Sequence, residues 1–301
     1  MAKAPNFMII GAARAGTTAL YGLVRQHPDV FMSAIKETNY FAFEGKPLDY
    51  RGPGAEFVNN SVASWDEYLR LFADAPAGKM MGEATPLYLY QPESARRIRA
   101  RLPDVKMIAV LRNPVEQAFS HFLYARAQMI EPLTSFDDAL AAEPQRLAAH
   151  WQPLFQYSNF PRYYEQLQRF YAQFPADQLK IFLYEDYRSD PRKMLAEMFK
   201  FIGVDPNFVP DVSHETNMGG QPRHVWLQAL VMRPNPIAKL AGMVLPNGAR
   251  RVIRDKVSRH NLSRDTLSPS AKAHLLEVLR EDISQLQELI KRDLSHWLKQ
   301  G

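Results

Sequence analysis

Cysteine is absent from this chain of 301 residues. Its absence excludes a disulfide framework, a thiolate zinc site and a cysteine nucleophile. The sequence also lacks an apolar run of about 18 or more residues, which a membrane-spanning helix requires. The segment after Met1 carries no signal pattern of the secretory type, and we therefore expect a cytoplasmic protein.

The composition that remains is typical of a globular protein. Apolar residues make up 46% of the chain and charged residues 23%, and both fractions are close to the averages for folded domains. A chain of this length can bury a large apolar core. We expect one domain that spans residues 1–301.

The net charge of +5 is concentrated in one stretch. Between residues 233 and 264 eight basic residues accompany one acidic residue, so this stretch carries +7 and the remainder carries −2. Three interpretations stay open: a solvated helical face, a basic lid over an anionic ligand, or, with the apolar residues just upstream, peripheral membrane contact through residues 226–264. We expect no nucleic acid partner, because no nucleic-acid-binding motif accompanies the charge.

Three short apolar runs, each followed by a helical stretch, predict the fold. The runs cover residues 6–10, 105–111 and 179–184, and such alternation is typical of buried parallel strands in α/β proteins. Another helix is predicted to begin at Ser268 and Pro269 and to bury a leucine-rich face. The sequence therefore predicts an α/β fold with a P-loop-type parallel sheet flanked by helices. The Pro-interrupted basic insertion at 233–264 is predicted to form a C-terminal helical lid, and a long helix is predicted to end the fold.

The junction between the first strand and its helix has the features of a phosphate-binding loop. Gly11 and Gly16 have the spacing of the Walker A pattern, and small residues there allow a phosphate to approach the backbone amides. However, Thr17 occupies the position where Walker A requires lysine. The strand at 105–111 ends in Arg112, where an NTPase typically has a magnesium-binding aspartate. We therefore expect a phosphate site without a metal. A magnesium-dependent P-loop kinase or NTPase and a non-catalytic phosphate- or membrane-binding protein are the alternatives.

A second anion-binding motif follows the strand at 105–111. Arg112 can contact a phosphate with two parallel hydrogen bonds, and Ser120 can add a hydroxyl donor if the helix returns toward the first loop. Two anion sites indicate a ligand that is phosphorylated at two places.

Together these segments resemble the family of sulfotransferases that use adenosine 3′-phosphate 5′-phosphosulfate (PAPS), and they are more similar to its carbohydrate and bacterial branch than to its cytosolic branch. Residues 14–18 resemble the family's 5′-phosphosulfate loop, and residues 112–120 resemble its 3′-phosphate motif. Residues 36–41 are similar to a segment that supplies a catalytic glutamate in heparan-type members. Residues 82–88 and 292–297 resemble two further family blocks. Gly220 and Arg223 fall where the family places a glycine-and-basic loop over the nucleotide.

The resemblance implies in-line transfer of a sulfuryl group from PAPS, without a metal, to a hydroxyl or amine of a small-molecule, lipid-linked or carbohydrate acceptor. It implies that Arg14 stabilises charge on the leaving phosphate, and that Glu37 is the catalytic base with His121 as the rival base. The implied PAPS-binding residues are Arg14, Ala15, Gly16, Thr17, Thr18, Arg112, Ser120, Gly220 and Arg223.

Two positions depart from the family pattern. Arg14 stands where the family usually has lysine, and because arginine stays protonated it is a poor proton donor. Ala84 stands where heparan-type members carry a second lysine. The second departure favours a small-molecule, lipid-linked or biosynthetic-intermediate acceptor over an extracellular glycan.

Overall fold

The computed structural model describes residues 3–211, 221–222, 262–263 and 266–299. Its central feature is a sheet of five parallel strands in the order β2-β3-β1-β4-β5. A short antiparallel pair, β6 and β7, also falls within the described residues. The strands are β1 (Phe7–Gly11), β2 (Val30–Met32), β3 (Met80–Ala84), β4 (Lys106–Leu111), β5 (Leu179–Leu183), β6 (Gln221–Pro222) and β7 (Leu262–Ser263).

Helices connect the strands of the sheet and follow its last strand. Three short 3-10 helices, Pro153–Phe155, Ala176–Gln178 and Ser295–Leu298, supplement them. The α-helices of the described residues are α1 (Thr17–Val24), α2 (Tyr40–Phe43), α3 (Glu56–Asn59), α4 (Trp65–Arg70), α5 (Leu87–Tyr90), α6 (Ser94–Arg101), α7 (Pro114–Ala127), α8 (Phe136–Ala141), α9 (Glu143–Ala148), α10 (Tyr163–Tyr171), α11 (Tyr184–Ser189), α12 (Pro191–Ile202) and α13 (Pro269–Ile290).

The predicted parallel sheet flanked by helices is confirmed, and the three apolar runs form β1, β4 and β5. All five residues of β1 are buried, as are the last five residues of β4. Helices pack on both faces of such strands, so every side chain is apolar instead of every second one. The helical stretch predicted after β5 forms two helices, α11 and α12, and Gly203 ends the second one with φ +91°.

Two strands of the five-stranded sheet, β2 and β3, were not predicted. Strand β2 has only three residues, and β3 contains Gly82 and Glu83, so neither has a continuous apolar run. Both nevertheless pair in parallel register, with Phe31 opposite Met81 and Phe7 opposite Gly82.

The chain forms β2 and β3 on one side of β1, and then β4 and β5 on the other side. Strand β3 pairs with one edge of β1 and β4 with the other. Ligands of open α/β sheets bind at such a point, beyond the carboxyl ends of the strands. The loop after β1 therefore lies where the fold favours a binding site.

The long terminal helix is confirmed as α13, which begins where it was predicted. The Ser268 side chain accepts a hydrogen bond from the backbone N–H of Ala271 and so caps the helix, and Pro269 occupies its first turn. The predicted leucine-rich face is buried at Leu275, Leu279 and Leu286. No helix among residues 3–211 and 266–299 combines the length and apolarity needed to cross a membrane. The basic stretch 233–264, predicted as a lid, lies outside the described residues except for β7.

Candidate functional site

The loop between β1 and α1 presents the amino end of a helix to the carboxyl edge of the sheet. Gly16 precedes the helix with φ +88°, a left-handed conformation that favours glycine. No side chain in the described part of the chain caps the helix, and the first amides of a helix have no acceptor within it. The hydroxyls of Thr17 and Thr18 lie in the same turn, and the amino end of a helix favours an anion.

Arg14 lies at the centre of this loop. Its guanidinium stacks over the ring of Tyr124 with 4.5 Å from Cζ to the ring centroid, and its Nε donates a hydrogen bond of 3.3 Å to Ser120 Oγ. Burial lowers the pKa of Arg14 below its usual range, and the charge of Arg112 acts in the same direction. Two cations thus lie close together at the end of the sheet, an arrangement that a multiply charged anion would stabilise.

Arg112 reaches the same loop from the end of β4. One of its terminal nitrogens donates to the backbone carbonyl of Arg14 at 3.3 Å. Its other two nitrogens donate to Glu116 Oε2 at 3.2 and 3.0 Å. The predicted return of α7 toward the first loop is therefore observed, since Arg112 and Ser120 both contact Arg14.

Gln117 was not selected from the sequence, although it lies within residues 112–120. Its amide nitrogen donates to the backbone carbonyl of Ala13 at 3.0 Å, which fixes α7 to the phosphate loop. Its side chain is fully buried, and its Oε1 has no hydrogen-bond partner among the described residues. The only sequence signal was its position on the same face of α7 as Ser120, one turn away.

Glu37 lies on the loop before α2. Its backbone has φ +64° and is held by a hydrogen bond of 2.9 Å from its N–H to the carbonyl of Ala84. The side chain is about half exposed at 53% and forms an ion pair with Lys36. Its negative charge raises the pKa of Tyr124, although burial is the larger cause. The carboxylate therefore lies within electrostatic reach of the Arg14 and Tyr124 pair.

A buried carboxylate, Glu83, supports this loop from behind. Its two oxygens accept hydrogen bonds of 2.6–3.0 Å from four hydroxyls, those of Tyr68, Tyr88, Thr38 and Thr85. Burial raises the pKa of Glu83, and the four hydroxyl donors oppose that shift. The sequence contained Glu83 in a recognised family block but gave no sign that it is fully buried, with no cation partner among the described residues.

His121 follows Ser120 and lies on the inner wall of the cavity. It is 2% exposed, it packs edge-on against Tyr157 and Phe160, and its Nδ1 has no hydrogen-bond partner among the described residues. Burial, together with the positive charge of Arg14, lowers the pKa of His121 to about 3. The imidazole is therefore neutral at physiological pH and a weak base.

The side chains of Arg14, Thr17, Thr18, Glu37, His121 and Tyr124 line one cavity of about 150 Å³. Asn39 and Gln128 add polar groups to its surface. Seven larger apolar residues also line it, and we call them the apolar wall: Phe57, Val58, Pro86, Leu87, Ile130, Leu154 and Phe160.

Six aromatic residues lie in or next to the segments that resemble the family, namely Tyr40, Phe41, Tyr88, Tyr90, Phe122 and Tyr124. Of these, Tyr124 lines this cavity. Tyr90 lines a second cleft. The other four, Tyr40, Phe41, Tyr88 and Phe122, are buried in the core.

Two predicted nucleotide-binding residues, Gly220 and Arg223, lie outside the described residues. Within the described ranges, no group of three or more His, Asp or Glu side chains could hold a metal ion. The structure thus brings together Arg14 through Thr18, Arg112, Ser120, His121 and Glu37.

Comparison with known proteins gives a family match and several relatives. Residues 4–218 match the family model described as "Sulfotransferase domain". The curated relatives include the membrane-associated sulfotransferase kil1 of Dictyostelium discoideum, which is 29% identical over 40% of this chain and 23% of that protein. The bifunctional heparan sulfate N-deacetylase/N-sulfotransferase 1 of Mus musculus is 25% identical over 93% of this chain and 31% of that protein. The chain thus spans a quarter to a third of the length of these relatives.

Solved structures give the same picture of the fold. A sulfotransferase from Alicyclobacillus acidocaldarius superposes with a TM-score of 0.77 at 29% identity and covers 99% of this chain and 100% of that one. The mouse sulfotransferase SULT7A1 complexed with PAP superposes with a TM-score of 0.52 at 14% identity, over 96% of this chain and 88% of that one. The second likeness concerns the fold alone.

Proposed function

The chain belongs to the sulfotransferase family, and from this premise we propose that it transfers a sulfuryl group from PAPS to a hydroxyl or amine of an acceptor. The observation that carries the proposal is the convergence of Arg112 and Ser120 on Arg14 at the amino end of α1. Two motifs that are about 100 residues apart in sequence thereby form one polycationic site, which suits a nucleotide with phosphates at two positions.

The residues present fit such a nucleotide. The uncapped amides at Gly16 and Thr17, with the hydroxyls of Thr17 and Thr18, would hold its 5′-phosphate. Arg112 and Ser120 would hold its 3′-phosphate, with Arg112 exchanging its exposed ion pair to Glu116 for the ligand. PAPS supplies the sulfuryl group, and the guanidinium of Arg14 would stabilise the charge that grows on the leaving phosphate.

Glu37 is the base in this proposal. Its carboxylate lines the cavity and is within electrostatic reach of Arg14 and Tyr124, so it can accept the proton of an acceptor that is bound there. The pKa of about 3 makes His121 a much weaker proton acceptor at neutral pH, although it lines the same cavity. We therefore assign His121 to the wall that contacts the acceptor.

The alternative of a magnesium-dependent kinase or NTPase is not favoured. The P-loop lysine is replaced by Thr17, and Arg112 instead of an acidic residue follows β4. Our proposal includes metal-independent turnover, which follows from the same two positions.

Two finer points belong to the proposal. The +7 charge of residues 233–264 supports peripheral membrane contact through residues 226–264, and so does the likeness to a membrane-associated sulfotransferase. A cytoplasmic location is compatible with such contact at the inner face of a membrane.

Calorimetric titration of the full chain with adenosine 3′,5′-bisphosphate (PAP), AMP and Mg-ATP tests the proposal. We expect micromolar affinity for PAP without a metal, and much weaker binding of AMP, which lacks the 3′-phosphate that Arg112 would contact. We expect Arg112→Ala to weaken PAP binding by about 1.5–3 kcal/mol, the scale of a hydrogen bond to a charged group.

Arg96→Ala is the matched control, because Arg96 also forms an exposed ion pair on a helix, with Glu93, away from the cavity. It should leave the affinity for PAP unchanged. Tighter binding of Mg-ATP than of PAP, or equal affinity of the Arg112→Ala variant and the parent chain, would contradict the proposal.

A further inference from the structure

One face of α7 holds the phosphate loop at Ala13 and Arg14. Gln117, Ser120 and Tyr124 follow one another at spacings of three and four residues, so their side chains lie on the same side of the helix. Gln117 donates to the carbonyl of Ala13. Ser120 and Tyr124 both contact the side chain of Arg14. Tyr124 therefore belongs to the helix face that fixes the loop, although it lies one turn beyond the 3′-phosphate motif.

The backbone of Arg14 has an uncommon conformation. Its φ is +62°, in the left-handed region that residues with a Cβ rarely adopt. Such a conformation persists where surrounding contacts maintain it, and the carbonyl of Arg14 accepts a hydrogen bond of 3.3 Å from Arg112. The loop thus fixes the Cα of Arg14, while the direction of its long side chain depends on the contacts of the guanidinium.

Two contacts of different kinds orient that guanidinium. Its Nε, on one edge of the plane, donates a hydrogen bond of 3.3 Å to Ser120 Oγ. The ring of Tyr124 covers one face of the plane, with 4.5 Å from Cζ to the ring centroid. The hydrogen bond alone would let the plane rotate about the line from Nε to Oγ, and the ring removes that freedom. A lysine, which the family usually has at this position, offers no plane for a ring to orient.

The Tyr124 ring also stabilises a cation that lies beside another cation. Burial lowers the pKa of Arg14, and the charge of Arg112 acts in the same direction. Burial raises the pKa of Tyr124, so its ring is neutral at physiological pH. The face of a neutral aromatic ring attracts a cation, and the attraction is stronger where water is excluded. The ring therefore holds the guanidinium in place before a nucleotide binds.

We propose that Tyr124 is a positioning residue whose ring orients the guanidinium of Arg14 toward the 5′-phosphate of the nucleotide. This inference rests on the proposed sulfotransferase function and deepens it, because that phosphate is the leaving group when PAPS loses its sulfuryl group. A donor that is oriented before the reaction needs no rearrangement while charge grows on the leaving group. The role belongs to the aromatic face, so the hydroxyl of Tyr124 has no part in it.

Calorimetry of the full chain with PAP tests this role without an acceptor, because PAP carries the phosphate that leaves PAPS. Tyr124→Leu removes the ring and should weaken PAP binding about fivefold, the scale of a cation–π contact. Tyr124→Met, whose flexible side chain fills irregular space, should have the same effect. Tyr124→Phe keeps the aromatic face and should bind PAP as the parent chain does.

Phe174→Leu is the matched control for the loss of the ring. The guanidinium of Arg99 lies over the Phe174 ring, 5.6 Å from its centroid, and neither residue lines the cavity. This variant should leave the affinity for PAP unchanged.

A double-mutant cycle with Arg14→Lys shows whether the ring acts through Arg14. In the Arg14→Lys chain, Tyr124→Leu should change the affinity for PAP less than about twofold, because no guanidinium remains for the ring to orient. Equal losses in the two backgrounds would mean that the ring supports the cavity independently of Arg14, and this result would overturn the inference.

Two further results would also overturn it. One is parent-like affinity for PAP in both Tyr124→Leu and Tyr124→Met, and the other is a loss of affinity in Tyr124→Phe. All three contrary results leave the sulfotransferase proposal standing, because the parent chain binds PAP in each of them. If the parent chain does not bind PAP, the sulfotransferase proposal fails, and the inference about Tyr124 fails with it.

Discussion

Glu37 combines a rigid backbone with an accessible carboxylate. Its left-handed φ and the hydrogen bond from its N–H to Ala84 fix the position of its Cα relative to β3. Its carboxylate is half exposed and pairs with Lys36, so an incoming acceptor can exchange that contact for its own hydroxyl. A base needs both properties, since it must be positioned in advance and free to accept a proton.

Replacing Glu37 with Gln tests this role at the scale of one residue. We expect turnover with PAPS to fall about 100-fold or more, because the amide cannot accept the proton that the carboxylate takes. The affinity for PAP should stay nearly unchanged, because Glu37 is not among the residues proposed to contact the phosphates of PAP. Initial rates and PAP calorimetry measure the two effects separately.

Glu93→Gln serves as the control for Glu37→Gln, because Glu93 is also an exposed carboxylate in an ion pair with a basic neighbour. It should turn over at the rate of the parent chain. A near-normal rate for Glu37→Gln would remove Glu37 from the role of base and return attention to His121.

The residues that would contact a ligand could be predicted from the sequence, but the buried residues that hold them in place could not. Arg14, Arg112 and Ser120 could be selected because their residue types and spacing match a family motif, and the structure brings them into contact. Gln117 and Glu83 could not, because their roles depend on burial and on partners that are distant in sequence. Tyr68, for example, donates to Glu83 across 15 residues, and Gln117 donates to Ala13 across 104. One sequence does not encode such pairings in a readable form.

Strand β3 shows the same limit at the scale of an element. Its sequence, Met-Met-Gly-Glu-Ala, does not have the apolar run by which β1, β4 and β5 were predicted. Gly82 is nevertheless required, because a Cβ at this position would lie 2.2 Å from Cζ of Phe7 on β1. The close approach allows the buried Phe7 ring to pack against β3. This strand carries Glu83, and its last residue, Ala84, accepts the hydrogen bond from the Glu37 N–H.

Gly82→Ala should therefore destabilise the sheet. We expect the free energy of unfolding to fall by about 1–3 kcal/mol, the cost of inserting a methyl group into a packed core. Gly22→Ala is the matched comparison, since Gly22 lies in α1 and a Cβ there meets no atom within 4 Å.

The Gly22→Ala change should raise the free energy of unfolding by about 0.5–1 kcal/mol, because alanine favours the helix. Urea unfolding of both variants measures the contrast. Equal stability of the Gly82→Ala variant and the parent chain would show that the contact between Phe7 and Gly82 is not tight.

At the scale of the whole molecule, α13 ties the C-terminal part of the chain to the helices that cover the sheet. Its leucine-rich face was predictable from the spacing of its apolar residues. Asp282 on the same helix was not, because it is buried and directed at another element. Its carboxylate accepts hydrogen bonds from the backbone N–H groups of Tyr164 at 3.2 Å and Glu165 at 3.5 Å, in the first turn of α10. The Asp282 side chain of α13 thus caps the amino end of α10.

The burial of Asp282 makes this tie dependent on pH. Burial raises the pKa of Asp282 to about 6, although the two backbone N–H groups act against the shift. In the unfolded chain the carboxyl has a pKa of about 3.9. Between these values the folded chain keeps a proton that the unfolded chain releases, so the contribution of Asp282 to stability falls as the pH rises from about 4 to about 6. Two pKa units correspond to about 3 kcal/mol.

Asp282→Asn isolates this effect, because the amide keeps an acceptor oxygen and does not titrate. We expect the free energy of unfolding of the variant, minus that of the parent chain, to rise by about 2–3 kcal/mol between about pH 4 and pH 7, because only the parent loses stability over this range. The other titrating groups are common to both chains, so they cancel in the difference. Urea unfolding at several pH values measures it, and Asp293→Asn, which changes an exposed acid near the same end of the chain, is the control. A difference that is constant with pH would mean that Asp282 ionises as easily in the folded chain as in the unfolded one.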